Sequence, residues 1–439
     1  LYGIFHNTSI VGIIVSVILV FIVFVYRGFK GKARYFCLLL GFSLAVLFLL
    51  SRSRSGWLGF IVASFYYFPK YDLGNKYNIS RRLIFIVLLL AFASLFLLKI
   101  DSSIGRIHIY HISLCIFSDN LLTGIGIGKF KATFNEYQAN FFSKSDIDSQ
   151  RALLADNTFY AFNDYLQWAA ETGIIGIIIF GIVFFYLVRR IQLIKRVYPN
   201  KPIIIATTAS LLCLAVTALF SYPLQTIPGQ FLGLILVGVI YFYPLASENM
   251  TRIWRIVTVL IRFLYVSVSA YFLIHSFYFI KSKISEKKAY QLEMSGFKIQ
   301  SIEEYKKLSH YYPSYGHNTF KYAELLYYSN ELNEARFTLE ITQKTYIDNR
   351  VYKLKAKIEN ELGNFREAEK YYLRAIYMVP NRMSSRYDLM NFYISRKDTQ
   401  AAIKWANSIL NMPVKVPSER TKMMLNATKD SLSKWNFSN

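Results

Sequence analysis

The chain is 439 residues long, 54% hydrophobic and 17% aromatic, with a mean hydropathy of +0.28, whereas an ordinary soluble domain is about 45–50% apolar. Lys and Arg number 51 against 27 Asp and Glu, a formal net charge of +24. Those basic residues gather in short loops between apolar segments, as in a membrane protein, which argues against nucleic acid as the partner. The three cysteines, Cys37, Cys115 and Cys213, allow neither a disulfide framework nor zinc-ligand spacing.

The chain opens on Leu1 rather than Met and enters an apolar stretch almost at once, so it reads as a fragment lacking an N-terminal part. A crossing helix needs roughly 20 apolar residues. Candidate spans fall at 9–26, 35–50, 57–68, 83–98, 172–188, 203–220, 231–247 and 256–280. The short 57–68 segment is expected to tilt or to recruit neighbouring residues. Basic residues at Arg27, Lys30, Lys32 and Arg34, at Lys70, Lys76, Arg81 and Arg82, at Arg189, Arg190, Lys195 and Arg196, and at Arg252 and Arg255 mark cytoplasmic loops. The opposite side then receives residues 1–8, 51–56, 99–171, 221–230 and everything after about 281. Loop 221–230 has no basic residue, as an outer loop should; 51–56 is the exception, with Arg52 and Arg54.

The expected architecture is all-α: a polytopic helical membrane bundle of about eight spans over 1–280, with an outer loop at 99–171, then a soluble α-solenoid over 281–439. In the tail, Leu362-Gly363, Phe365, Ala368, Tyr372, Ala375 and Pro380 match tetratricopeptide spacing. Alanines 335, 368 and 402 recur 33 and 34 residues apart, and prolines 313, 380 and 413 fit the same period. Units are expected at about 319–347, 353–381 and 387–414, with a weaker one leading near 285–313. Small residues let paired helices pack closely and the glycine permits the tight turn. The concave face of such repeats usually holds a peptide or a partner domain; a stabilising cap is the plainer role.

Between the spans lies a polar insert, Lys99 to Gly176, whose end runs straight into an apolar segment and sets Asn163, Asp164 and Glu171 at or near a bilayer surface. No zinc motif, serine elbow or dinucleotide fingerprint is present. Gly124-Ile125-Gly126-Ile127-Gly128-Lys129 resembles a phosphate loop only in part, since Thr123 replaces its first glycine and Phe130 follows the lysine. It reads either as a tight turn at the membrane surface or as amides beside a lipid-linked phosphate. Arginine is the natural outer-side partner for a diphosphate, being permanently charged and forked. Arg52, Arg54 and Arg106 are the candidates, with interfacial snorkelling the alternative, chiefly for Arg52. His108 and His111 share a helix face, which suits proton transfer better than metal binding, no carboxylate standing beside them. Asp156, Asp164 and Glu171 are further proton acceptors or plain surface groups.

Four local patterns together resemble the O-antigen ligase and polymerase superfamily of multispanning glycosyltransferases. Gly3-Ile4-Phe5-His6-Asn7 resembles its Gly-x-Phe-x-Asn entry, and Ser53-Arg54-Ser55-Gly56-Trp57-Leu58 its Ser-Arg-x-x-Trp-Leu signature. Gly105-Arg106 followed by Gly124 to Phe130 is similar to the arginine and glycine-rich part of its loop. Asn163, with Gly173 and Gly176, resembles its His-Asn, nine residues, Gly-x-x-Gly pattern, except that Phe162 replaces the histidine, so no base role carries over there. The resemblance covers about residues 1–250 and implies metal-independent transfer of a glycan from undecaprenyl diphosphate to a periplasmic hydroxyl, with no cofactor, in the bacterial inner membrane. The acceptor it implies is lipid A-core, a growing glycan or a protein, making the enzyme a ligase, a polymerase or an oligosaccharyltransferase; a non-catalytic scaffold presenting the repeats is the alternative class. The family's arginine role carries over to Arg54 and Arg106; with Phe162 in place of the histidine, either no imidazole is needed, or His108, His111, Asp164 or Glu171 supplies the proton acceptor, or the protein is inactive, and catalysis is expected at Arg54, Arg106, Asn163, Asp164 and His108. Substrate binding falls to Arg52, Gly126, Gly128, Lys129, Gln167, Glu171, Gly173 and Gly176, with membrane lipid around the spans and a protein partner on the repeats.

Overall fold

A computed structural model describes residues 8–67, 100–244, 252–312, 315–415 and 417–436. Among these, every regular element is helical. In chain order the helices are α1 (Thr8–Val25), α2 (Gly31–Ser51), α3 (Arg54–Tyr67), α4 (Ile100–Asp119), α5 (Phe130–Ser143), α6 (Gln150–Leu154), α7 (Asp164–Val197), α8 (Pro202–Phe220) and α9 (Ile227–Phe242). Then follow α10 (Arg252–Met294), α11 (Lys298–Tyr311), α12 (Gly316–Tyr327), α13 (Leu332–Gln343), α14 (Asn349–Glu361), α15 (Phe365–Met378), α16 (Met383–Ser395), α17 (Thr399–Asn411) and α18 (Glu419–Asn436). The chain divides into two compact units. One comprises Leu1–Ser103, Tyr160–Ala169 and Ile174–Phe277; the other comprises Ile104–Phe159, Ala170–Gly173 and Tyr278–Asn439. Residues 104–159 of the polar insert therefore group with the tail.

The first unit holds the membrane helices. Among the described residues, α1, α2, α7, α8 and α10 are long and apolar enough to cross a bilayer, while α9 is shorter. The expected span at 83–98 and the Gly3–Asn7 pattern lie outside the described residues. Small residues set how closely these helices approach, as they do where lipid offers no hydrophobic drive to associate. A Cβ on Gly59 of α3 would stand 2.6 Å from Thr217 Cγ2 and 2.9 Å from Cys213 O of α8. Ser16 donates to Ile13 O at 2.7 Å within α1, and Ser210 of α8 donates to Val17 O at 3.1 Å, so these buried hydroxyls reach backbone acceptors. Val17, Val20 and Phe24 of α1, Ala63 and Tyr67 of α3, and Ile205, Ala209 and Leu214 of α8 form its core. Helix α2 turns Tyr35, Phe36 and Phe42 outward, a face suited to acyl chains.

The tail of the second unit is a run of helical hairpins: the end of α10 with α11, then α12/α13, α14/α15 and α16/α17, closed by α18. The period seen in the sequence has a structural cause. Ala335, Ala368 and Ala402 are each the fourth residue of the second helix of a hairpin, and each is fully buried. The turns between paired helices place Gly296, Asn330, Gly363 and Lys397 at φ of 83°, 65°, 82° and 60°. These left-handed positions, 33 or 34 residues apart, extend the register to the weak leading unit, although only two of them carry the glycine that such a φ favours.

Candidate functional site

In the first unit the Ser-Arg-Ser-Arg-Ser-Gly run is a tight reversal between α2 and α3. Arg52 takes φ 48° as the C-cap of α2, its N–H returning to Leu49 O, and its side chain is exposed. Ser53 is 1% exposed and caps α3, since its hydroxyl accepts Gly56 N–H and donates to Ser9 O at 2.9 Å. A Cβ on Gly12 would stand 2.3 Å from Ser51 Oγ and 2.4 Å from Ser53 Cβ, so glycine is what admits this corner against α1. Arg54 is thereby fixed as the first residue of α3, half-buried.

The head of α7 is built from the same unit. Asn163 is its N-cap, the side-chain oxygen accepting Leu166 N–H at 3.0 Å. Asp164 is 3% exposed, and its Oδ2 accepts Leu224 N–H at 2.8 Å, tying the turn at 223–225 to the helix start. Buried Gln167 accepts Ala161 N–H at 3.0 Å. Phe162, where the family pattern has histidine, sits at φ 53° with its ring edge-on to Tyr222, which stacks on Tyr160 at 4.2 Å. Position 162 is thus an aromatic wedge against Ile10 and Ile13.

The glycine-rich loop belongs to the second unit and crosses α7 at a break. Gly173 has φ 64° and ψ −163°, outside the helical region. Carbonyls at such a break need donors. That of Ala170 accepts Ile125 N–H at 3.0 Å and that of Glu171 accepts Gly126 N–H at 2.9 Å. The Glu171 carboxylate, 3% exposed, accepts Gly128 N–H at 2.9 Å. The amides expected to cradle a phosphate at Gly126 and Gly128 are therefore donating to Glu171. A Cβ on Gly124 would meet Glu171 O at 2.4 Å, and one on Gly173 would meet Leu122 O at the same distance. The two glycines make the crossing possible. Lys129, exposed, lays its aliphatic stem over Gly126, and Gly176 is buried further along α7.

Arg106 lies half-buried on α4, and its charge partly offsets the burial that pushes the Tyr110 phenol up one turn away. His108 is 5% exposed between Phe141 and Phe142. Burial lowers its pKa from 6.5 to about 4, against the nearby Gln138 side chain, so the ring is neutral near pH 7. His111 is exposed at the edge of Phe141. Of the residues singled out in the sequence, Arg52, Arg54, Asn163, Asp164, Gln167 and Gly176 fall in the first unit. Arg106, His108, Gly126, Gly128, Lys129, Glu171 and Gly173 fall in the second.

Sequence reasoning missed how the insert meets the tail. Arg386 of α16 is 1% exposed and donates to Asp148 Oδ1 at 2.7 Å and Pro380 O at 3.1 Å. Arg374 of α15 donates through Nε to Glu136 of α5 at 2.9 Å. The available signal was weak: an arginine placed where the helical period asks for an apolar residue.

Residues 36–181 match the family described as O-antigen ligase (Wzy_C), a stretch that includes Arg54, Arg106, Asn163, Gly173 and Gly176. No curated protein matches the chain. Among solved structures, the crystal structure of MamA is 16% identical with a TM-score of 0.28, covering 33% of this chain and 84% of that one. The crystal structure of yeast Tom70 is 8% identical with a TM-score of 0.27, covering 92% and 86%. Over residues 36–181 the chain is thus similar to O-antigen ligases, and among its described residues five helices are long and apolar enough to cross a membrane.

Proposed function

We propose that the protein transfers a glycan from undecaprenyl diphosphate to an acceptor hydroxyl, as an O-antigen ligase does, on the periplasmic face of the bacterial inner membrane. The observation that carries this reading is the O-antigen ligase match across residues 36–181. The distribution of basic loops supports the orientation, with insert and tail outside. In the reaction the acceptor oxygen attacks the anomeric carbon as the bond from that carbon to the diphosphate breaks. The bond pair leaves with the diphosphate, which also takes the acceptor's proton. Diphosphate is already a capable leaving group, so the reaction needs neither nucleotide sugar nor an obligatory metal. The protein's work is positioning and stabilising the charge that develops.

Arg54 and Arg106 carry that charge role, and exposed Arg52 and Lys129 add positive potential for the donor. Asn163, Asp164 and Gln167 shape the head of α7, while Glu171 and the glycines hold Lys129 in place. The enclosure of His108 by phenylalanines supports a packing role for it. Lipid A-core is the acceptor that suits a ligase. The test is Arg54→Ala in a reconstituted assay with lipid-linked donor. Loss of one charge-stabilising donor lowers kcat by about 10²–10³, and Arg54→Lys recovers little of it because an ammonium does not fork. Unchanged transfer by a well-expressed Arg54→Ala protein rejects the diphosphate role.

A further inference from the structure

Helix α5 is an unusual surface helix, because two of its polar side chains, Asn135 and Gln138, are fully buried. Buried amides need partners, and these find them on the tail: Asn135 Nδ2 donates to Ile347 O at 2.7 Å, and Gln138 Nε2 donates to Met378 O. Ile347 lies in the turn before α14 and Met378 is the last residue of α15, where carbonyls lack intrahelical donors. Small residues Ala132 and Ala139 bring α5 close to Ile347, Met378 and Val379. Around this buried centre stand the Arg374–Glu136 and Arg386–Asp148 pairs, and Asn381 Nδ2 donates to Ala155 O at 2.7 Å. At its other end α5 begins immediately after Lys129, its N-cap, and so continues directly from the loop that is bonded to Glu171 at the Gly173 break.

We propose that the repeat tail is a positioning device acting in cis. It grips α5 and thereby sets Lys129, the glycine loop and Glu171, so that glycan transfer depends on tail residues that never touch substrate. Arg374 and Arg386 are positioning residues in this arrangement. The edge of the repeats that bears them is occupied by the protein's own insert rather than awaiting a partner. The catalytic consequence rests on the transfer reaction proposed above, whereas the grip does not.

The experiment uses the full chain in lipid nanodiscs. Glu136→Arg and Arg374→Glu are made singly and together, reading hydrogen exchange of residues 130–143 and transfer from a polyprenyl-diphosphate-linked glycan. Each single reversal is expected to speed exchange of α5 about tenfold and to lower kcat about tenfold, and the double reversal to restore both. A contact that only supported the fold would change exchange in α5 and leave kcat unmoved. Wild-type exchange in the single variants overturns the grip whatever the transfer assay reads. Faster exchange with unchanged kcat overturns the link to transfer. Arg54→Ala is the control for the underlying reading: it is expected to lose transfer with wild-type exchange in α5. Full transfer by that variant overturns the arginine chemistry while leaving the grip to be judged on exchange.

Discussion

Replacing Gly173 by alanine tests whether the break in α7 is held by the glycine loop. The residue sits at φ 64° and ψ −163°, a region open to glycine and strained for any other residue, which costs about 1–3 kcal/mol. The added Cβ would lie 2.4 Å from Leu122 O, 2.5 Å from Leu122 C and 2.7 Å from Gly124 N, all backbone atoms that yield only by moving the loop. Overpacking of this kind adds about 1–3 kcal/mol, so the local cost is about 2–6 kcal/mol. Two controls separate the contributions. Gly363→Ala meets nothing within 4 Å and pays only for its φ of 82°, about 1–2 kcal/mol. Gly181→Ala also meets open space but lies in regular helix, where alanine is favoured by about 1 kcal/mol. The assay is thermal unfolding of the full chain in nanodiscs combined with amide exchange at Ile125 and Gly126. Gly173→Ala should show the largest loss, with exchange at those two amides raised about a hundredfold, the equivalent of about 2.7 kcal/mol. If Gly173→Ala melts like Gly181→Ala and both amides stay protected, the crossing is not what shapes the break.

Further outcomes follow from the same structure. Folding lowers the His108 pKa from 6.5 to about 4, so the unfolded chain takes up the proton first. Stability is then complete above pH 6.5 and declines as pH falls to about 4, by at most about 3 kcal/mol. The fall in melting temperature between pH 7 and 4.5 should flatten in His108→Phe, and parallel curves would refute this. Arg386→Ala should cost about 3 kcal/mol in denaturant unfolding, because a 1%-exposed guanidinium and several acceptors lose one another. Asp148→Ala should cost about 1 kcal/mol or less, its carboxylate side chain being 58% exposed and screened; equal costs would contradict this account. Lys397→Gly should be neutral to stabilising by about 1 kcal/mol, since Lys397 holds a left-handed turn that glycine enters freely.

What the sequence made legible was local in character. Apolar runs marked helices α1, α2, α7, α8 and α10, and the spacing of Ala335, Ala368 and Ala402 marked the repeats, because each pattern repeats within one or two helices. The Gly-x-x-Gly pattern located Gly173 but not its partner. The close approach of Gly124 is made by a chain segment some 50 residues earlier, which no periodicity records. The grouping of residues 104–159 with the tail was hidden for the same reason, its polar pairs joining residues 226 to 240 apart. Arg386 gave little sign of its role, since a charged side chain normally signals exposure and this one is enclosed. Phe162 was read as a missing base, and the structure gives it a packing function beside Tyr222.

The dependence of the insert on the tail also has a consequence in time. Glu136 and its partner Arg374 are separated by 238 residues, so at a synthesis rate of 5–20 residues per second the helix that bears Glu136 emerges roughly 10–50 s before its counterpart exists. During that interval Asn135 and Gln138 have only water or a chaperone for company. The later-made repeat tail is therefore what allows an earlier-made segment to finish folding, and a translation product cut short before Arg374 would leave that segment open to proteolysis.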